Sequence, residues 1–470
     1  MTSETHRREG REAIARLAPA WVSPLAWLAV VVGAIAFAVG VRAADPAPAW
    51  RALLVNFLFW VSLAQGALIW SVIFRITRTS WSAPINRMGH AVLWFLPFCL
   101  LAFAGIIVGR GYLLPWLGHD MGDRAVWLNA RGLFARDGIG LVVLVVLSWA
   151  FVRGYLRDDS LVGGHANGDM PAPQDDGRTA GGHPPRKGLG EIPALQERER
   201  RVNRRLSVLG VALLFVYMVV FSLLGFDLVM SLTPAWHSAL FGWYFALGGL
   251  YLGMAWLVIV AVVVRKTGTG NAFPFALPAG SAGRDEEEAP ISASVTEGEC
   301  AASPRPVKER IGTTELRNLG NLMLAFAMLM TYFLYSQALP IWYENLPPET
   351  GWVILRVHHQ PWQALSWVLI FTCYLGVFAL LVVREMKEKP ATLMAVALLV
   401  LASMWLERYM LVVPSLAPKA EAHSGTPLLA VLVGVGFLGV LVLTTTRFLA
   451  RYPATSELDL ALRMEREKWE

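Results

Sequence analysis

Ten times along this chain, roughly twenty apolar residues follow one another with almost no charge between them: near 22–41, 52–74, 88–109, 134–152, 206–226, 238–264, 319–341, 362–383, 391–413 and 427–447. Coiled as a helix, such a run rises about 30 Å, the thickness of a bilayer's hydrocarbon core. Lipid offers no partner to a backbone N–H or C=O, so a spanning segment must satisfy its own, and a run of this length can do so only as a helix. The expected fold is therefore an all-α polytopic membrane protein with about ten transmembrane helices. Composition agrees, because 55% of the 470 residues are hydrophobic and 16% are charged, where an average soluble domain carries about 25% charged residues.

Basic residues accumulate in cytoplasmic loops, and that bias predicts an orientation. With the N-terminus inside, next to Arg7, Arg8, Arg11 and Arg16, the outer loops hold Arg42, Arg51, Arg110, Arg124, Arg131, Arg356 and Lys419, seven of the 41 Lys and Arg. Both termini are then cytoplasmic. The net charge of +6 matches a basic face against anionic membrane lipid and calls for no nucleic acid. The first span, with its Arg-rich flank and "VRA" before Ala44, has the outline of a signal peptide, yet its apolar stretch is long for one and an uncut anchor is expected. Cys99, Cys300 and Cys373 form no CxxC and no CxxCH, which argues against covalent haem, an Fe–S cluster or structural zinc in this chain.

Two polar inserts interrupt the apolar pattern. Residues 154–204, with "GGHANGDMPAPQDDGRTAGGHPPRKGLG", and 267–316, with "AGSAGRDEEEAPISASVTEGECAASPRPVKER", are rich in Gly, Pro and charge and too poor in bulky apolar residues to fold on their own. They read as disordered cytoplasmic loops. The expected organisation is then helices 1–4 over 1–153, helices 5–6 over 205–266, helices 7–10 over 317–450 and a cytoplasmic tail over 451–470. "FWVSLAQGALIW" (59–70) and "WYFALGGLYLGMAW" (243–256) share an aromatic start and small residues on one face, a faint sign of duplicated bundles.

An ionisable side chain inside the membrane costs roughly 2.5–3.5 kcal/mol, so each one is a candidate for function. Arg136 and Asp137 begin span 4, Asp227 ends span 5, His237 begins span 6, and Glu407, Arg408 and Tyr409 sit in the outer half of span 9. Span 7 adds Tyr332, Tyr335, Ser336 and Gln337, and the loop after it carries Glu344, Arg356, His358 and His359. All lie toward the predicted outer face, and only Asn56, Gln65 and His90 suggest polarity elsewhere.

Structural readings stand beside the functional ones. Neighbours such as Glu407 and Arg408 point about 100° apart on a helix, so each is expected to find its partner on another helix; an Arg136–Glu407 ion pair and a proton relay both remain open. Asp227 and His237 could be explained by solvation at an interfacial turn, Trp236, Trp342, Trp352 and Trp362 by an aromatic belt, and Gly249-xxx-Gly253 by close helix packing. A haem b between helices needs two inward histidines at matched depth. His90 and His237 are the two that adjoin spans, and they fall at opposite faces. What remains is an apolar cavity with acids, tyrosines and amides at its outer mouth, suited to a lipid-soluble carrier or to protons.

Four stretches carry a resemblance. "FDLVMSLTPAWHSALFGWYFALGG" resembles the "F-D-W-x-M-S-L-D-P-x-W-x-S-x-x-F-G-x-Y-F-x-x-G" stretch of the larger membrane subunits of alternative complex III, a bacterial quinol oxidoreductase built around NrfD-like (polysulfide-reductase-like) proteins. "LMLAFAMLMTYFLYSQALPIWYENLPPET" (322–350) is similar to that family's "LLFAFxMLWAYxxFSQxLIIWYxNLPEE", "WLNARGLFARDG" (127–138) to its "WLNxxFFxxR", and "MWLERYMLVVP" (404–414) to its "RWxDxYWxVxP". The Ser-Gln and Asn-Leu-Pro elements resemble the F-type of these membrane proteins more than the sister C-type.

The resemblance implies ten helices with two four-helix bundles and two extra helices, in a bacterial inner (plasma) membrane. It implies as partners a sister NrfD-like subunit and Fe–S and multihaem cytochrome c subunits on the outer face. The chain itself would hold no cofactor, with quinol or quinone nearby and Fe–S clusters and haem c in the partners. Its part would be to support quinol oxidation and to conduct protons; the candidate path, Asp227, His237, Glu407, Tyr409, Asp137, Arg136, Tyr332 and Tyr335, comes from the residues read above and is not inherited from the family. The chain departs from the family at Thr233 and Ala235, where an Asp and a His are expected, and at Glu407, where an Asp is expected. His237 is an extra imidazole two residues from the lost one. A secondary transporter with a midplane site between repeats, or the anchor of another NrfD-like reductase, are the alternative readings.

Overall fold

The computed structural model describes residues 21–77, 79, 81–82, 84–166, 191–267, 311–418 and 425–452. Among these, ten helices are long and apolar enough to cross a membrane: α1 (Val22–Arg42), α2 (Ala47–Thr77), α3 (Asn86–Val108), α4 (Ala130–Arg157), α5 (Arg204–Leu232), α6 (Phe241–Lys266), α7 (Thr313–Glu344), α8 (Trp362–Val382), α9 (Pro390–Leu416) and α10 (Thr426–Arg451). They match the ten apolar runs one for one, and no strand occurs among the described residues. The chain is an all-α polytopic membrane protein.

Packing sorts the helices into two rings of four. In the first, α2 contacts α3 and α5 while α4 closes the ring between them; in the second, α6 contacts α7 and α9 with α8 opposite. Outside the rings, α1 and α10 lie against each other, and α10 also rests on α2. The blocks 1–4, 5–6 and 7–10 expected from the inserts are therefore not the packing units, since each insert joins two helices of one bundle. Loop-closure entropy grows slowly with length, so a long insert does not prevent its flanking helices from packing together.

The inserts are also shorter than their composition suggested. The helix of α4 continues to Ala166 and that of α5 starts back at Glu191, where Ala, Leu, Gln, Glu and Arg favour helix. At the second insert α7 begins at Thr313, its first turn closed by the Gly312 N–H donating to Glu315 Oε2 at 2.8 Å, a capping-box contact. The remainder, 167–190 and 268–310, lies outside the described residues, as does the tail from 453.

The two bundles meet where α2 crosses α6. A Cβ on Gly66 would collide with the Gly249 carbonyl, and one on Gly253 with the backbone of Gly66 and Ala67. Gly249 and Gly253 thus serve close packing, and the two stretches that share an aromatic start are the ones that face each other. Trp70 Nε1 donates to Leu250 O at 2.8 Å across the same seam. Burial follows: α2 and α6 are enclosed nearly all round, whereas α1, α7 and α8 present most of their surface outward, which explains why the central pair is apolar on every face.

The expected aromatic belt dissolves into specific packing. Trp236 is buried and stacks on Trp352 at 4.2 Å, and Trp362 is fully buried. Of the four, Trp342 is the large exposed one. The Trp236–Trp352 stack ties the α5–α6 turn to a short helix, Pro347–Val357, which sits against the end of α9.

That short helix also repairs a defect in α9. Pro414 has no N–H, so Met410 O loses its helical donor; Arg356 Nε supplies one at 2.9 Å, and Arg356 Nη2 donates to Leu411 O and Ser415 Oγ. Its guanidinium also covers the Trp352 ring at 3.7 Å. Burial pushes Arg356 down to about 9, which still leaves it charged at neutral pH. Arg356→Ala strands these buried acceptors and is expected to lower stability by about 3 kcal/mol, read as an earlier thermal transition of the purified protein. A transition at the wild-type temperature would show that the carbonyls find other donors. His358 and His359 are exposed beside it.

Candidate functional site

Two buried polar clusters lie near the face that carries the α5–α6 turn, one in each bundle. In the first, Asp227 is fully buried inside α5 rather than in a solvated turn, because the helix runs on to Leu228 and a further turn reaches Leu232. Its Oδ2 accepts from Arg136 Nε at 2.7 Å and its Oδ1 from Trp127 Nε1 at 3.0 Å. Arg136 in turn lies 4.0 Å over the Trp127 ring. Asp137 is buried, with Asp227 and Arg136 as its charged neighbours. One guanidinium thus faces two buried carboxyl groups.

The second cluster joins α6, α8 and α9. Glu407 and Arg408 are both buried, and Arg408 Nη1 donates to Glu407 Oε2 at 2.6 Å. The expectation that neighbours 100° apart must look elsewhere is overturned, as is the Arg136–Glu407 pair. Arg is long enough to swing sideways, and the surroundings hold it there: its guanidinium lies 4.2 Å over the Phe245 ring, in room left by Gly248, where a Cβ would stand 2.9 Å from Nη2. On its other oxygen, Glu407 Oε1 accepts from Tyr244 Oη at 2.7 Å. Tyr244 and Tyr374 hydroxyls are 2.9 Å apart.

A phenol has one proton to donate. With that of Tyr244 given to Glu407, the bond between the tyrosines must run from Tyr374 to Tyr244. The result is a directed chain, Tyr374 to Tyr244 to Glu407, ending at the Arg408 guanidinium. Tyr374 is presented by a π-helical turn, Ile370–Gly376, within α8; such turns shift the register of the side chains that follow and recur at functional sites. Cys373 in the same turn is buried with its Sγ 3.6 Å from Met404 Sδ.

The other expected site residues are placed apart from both clusters. His237 is 71% exposed and 3.5 Å from Glu349. Tyr332 and Tyr335 are 62% and 61% exposed on the outer surface of α7. Tyr409 is buried against Trp405, at 5.8 Å, with its hydroxyl unpartnered among the described residues. His90 is buried beside Phe151 and Tyr155, so the two span-adjoining histidines do not come together. No group of three His, Cys, Asp or Glu among the described residues could hold a metal ion.

Tyr244 and Tyr374 were missed by the reading of the sequence, and Arg408 was assigned no partner. A usable signal existed in α6, where Tyr244, Gly248 and Tyr251 fall at helical spacing: two phenols flank a gap on one face. No protein-family model matches this chain, and no curated protein matches it.

Proposed function

We propose that this chain is an integral membrane subunit of a respiratory quinol-oxidising complex of the alternative complex III type, most like the F-type of its NrfD-like proteins. It sits in a bacterial inner membrane with both termini cytoplasmic, beside a sister NrfD-like subunit and beneath Fe–S and multihaem cytochrome c subunits. It conducts protons and carries no redox metal of its own. The observation that carries this reading is the chain Tyr374–Tyr244–Glu407, an uninterrupted run of hydrogen-bonded groups that can pass a proton inside an apolar bundle. Quinol oxidation must release protons, and groups of this kind are suited to moving them. Asp137 and Asp227 give the first bundle its own buried pair of carboxyl groups at the same face. Tyr332 and Tyr335, exposed side by side on α7, support a protein partner there, because tyrosine is enriched in protein interfaces.

Tyr244→Phe is the test in the assembled complex, because it removes one hydroxyl, keeps the ring and leaves the Glu407–Arg408 pair in place. Expected are normal assembly and cofactor content, with quinol turnover or coupled proton release reduced about tenfold or more. Wild-type turnover together with wild-type proton release in that variant would end the proton-path reading.

A further inference from the structure

At the face opposite the α5–α6 turn, α4 ends and α5 begins side by side. A Cβ on Gly154 would stand 3.0 Å from Leu206 Cδ2, so these two residues mark a common depth. Around it stand Arg153 and Arg157 of α4 and Arg204 and Arg205 of α5, all exposed and all within about 5 Å of that depth at 1.5 Å of rise per residue. The apolar span of α4 ends at Arg157 and that of α5 starts at Arg204, which puts the four arginines at the level of the lipid headgroups. Among the described residues no carboxylate pairs with Arg153, Arg204 or Arg205.

Next to the two arginines of α5 the surface is hollow and otherwise apolar. A depression of about 560 Å³ is lined by Arg204, Arg205, Val208, Leu209 and Ala212, so cations and apolar wall belong to one site. Helical spacing agrees, because Arg205, Val208, Leu209 and Ala212 fall at i, i+3, i+4 and i+7 on one face. From there Val208, Val211, Phe215 and Val219 run on as an exposed stripe about 16 Å long, half of a hydrocarbon core about 30 Å thick. A cationic end with an apolar run one leaflet long matches a single molecule. We propose that an acidic phospholipid docks on α5 at this end, its phosphate held by Arg204 and Arg205 with Arg157 at the same level, and its acyl chains along the stripe from Val208 to Val219. The phosphate supplies the acceptor oxygens that a guanidinium binds in charge-assisted hydrogen bonds, and an acidic headgroup brings no cation of its own to oppose them. The proposal stands independently of the redox role.

The test uses the full chain, stripped of lipid in mild detergent and then offered an equimolar mixture of phosphatidylglycerol and phosphatidylcholine with identical acyl chains, with bound lipid counted by native mass spectrometry. Wild type is expected to retain phosphatidylglycerol with a preference of about tenfold or more. Combined Arg204→Gln and Arg205→Gln should remove most of that preference while the chain remains folded by circular dichroism. Combined Arg317→Gln and Arg384→Gln takes the same charge from the same face in the second ring, where both arginines already have Glu388, and should leave the preference intact. Equal retention of the two lipids by wild type, or an undiminished preference in the folded Arg204→Gln and Arg205→Gln protein, would overturn the proposal. So would an equal loss in the second-ring variant, which would assign the effect to overall charge, or displacement of the lipid by inorganic phosphate, which would assign the site to the free anion.

Discussion

Glu407→Gln is expected to destabilise the protein by about 3–5 kcal/mol, and by more than Arg408→Met does. The asymmetry follows from what each substitution leaves behind. Removing the carboxylate strands a fully buried guanidinium, and Arg cannot discharge itself by losing a proton in the neutral range. Removing the guanidinium leaves a carboxyl that can take up a proton, keep its hydrogen bond from Tyr244 and become neutral. Met also fills much of the vacated volume. Combining Glu407→Gln with Arg408→Met should recover most of the loss, because replacing both members of a buried pair spares the stranded charge. Thermal unfolding of the three variants, with assembly read on native gels, decides it. A Glu407→Gln protein that melts and assembles as wild type would show that Arg408 is neutralised by something other than Glu407. The same argument disqualifies Glu407→Gln as a clean probe of proton conduction, which is why Tyr244→Phe carries that test.

Gly66→Val is expected to prevent the two bundles from joining, with near-complete loss of folded, monodisperse protein. Ordinary overpacking of a core costs about 1–3 kcal/mol, and the neighbour usually yields by changing a rotamer. At Gly66 the obstacle is the Gly249 carbonyl, part of the α6 backbone, and a backbone has no rotamer to change. The damage would fall on the seam between α2 and α6, the most enclosed helices of the fold. Gly132→Ala serves as the control, since its nearest neighbour would be the Asn129 Cβ at 3.9 Å. Size-exclusion profiles of the detergent-solubilised variants distinguish the outcomes. A normal yield of folded Gly66→Val would mean that α2 and α6 can separate without loss of the fold.

The ten spans and the all-helical class were determined by the sequence alone, because a bilayer has a fixed thickness and leaves the backbone no partner but itself. The use of Gly249 and Gly253 for close packing was legible for the same kind of reason: small residues one helical turn apart make a flat face whatever they meet. The partners of the ionisable groups were not. Asp227 looked like a turn residue until α5 carried it inside and set Arg136 and Trp127 against it. Tyr244 and Tyr374, separated by two helices and a long insert, are brought into a hydrogen-bonded pair by the packing of α8 against α6, with Tyr374 set in a π-helical turn. Tyr332 and Tyr335, equally promising in sequence, were turned outward. Helical periodicity says which residues share a face; which face meets which helix is decided by packing in three dimensions. A buried pair such as Glu407 and Arg408 depends on that second choice, because the ring of Phe245 and the gap at Gly248 belong to another helix.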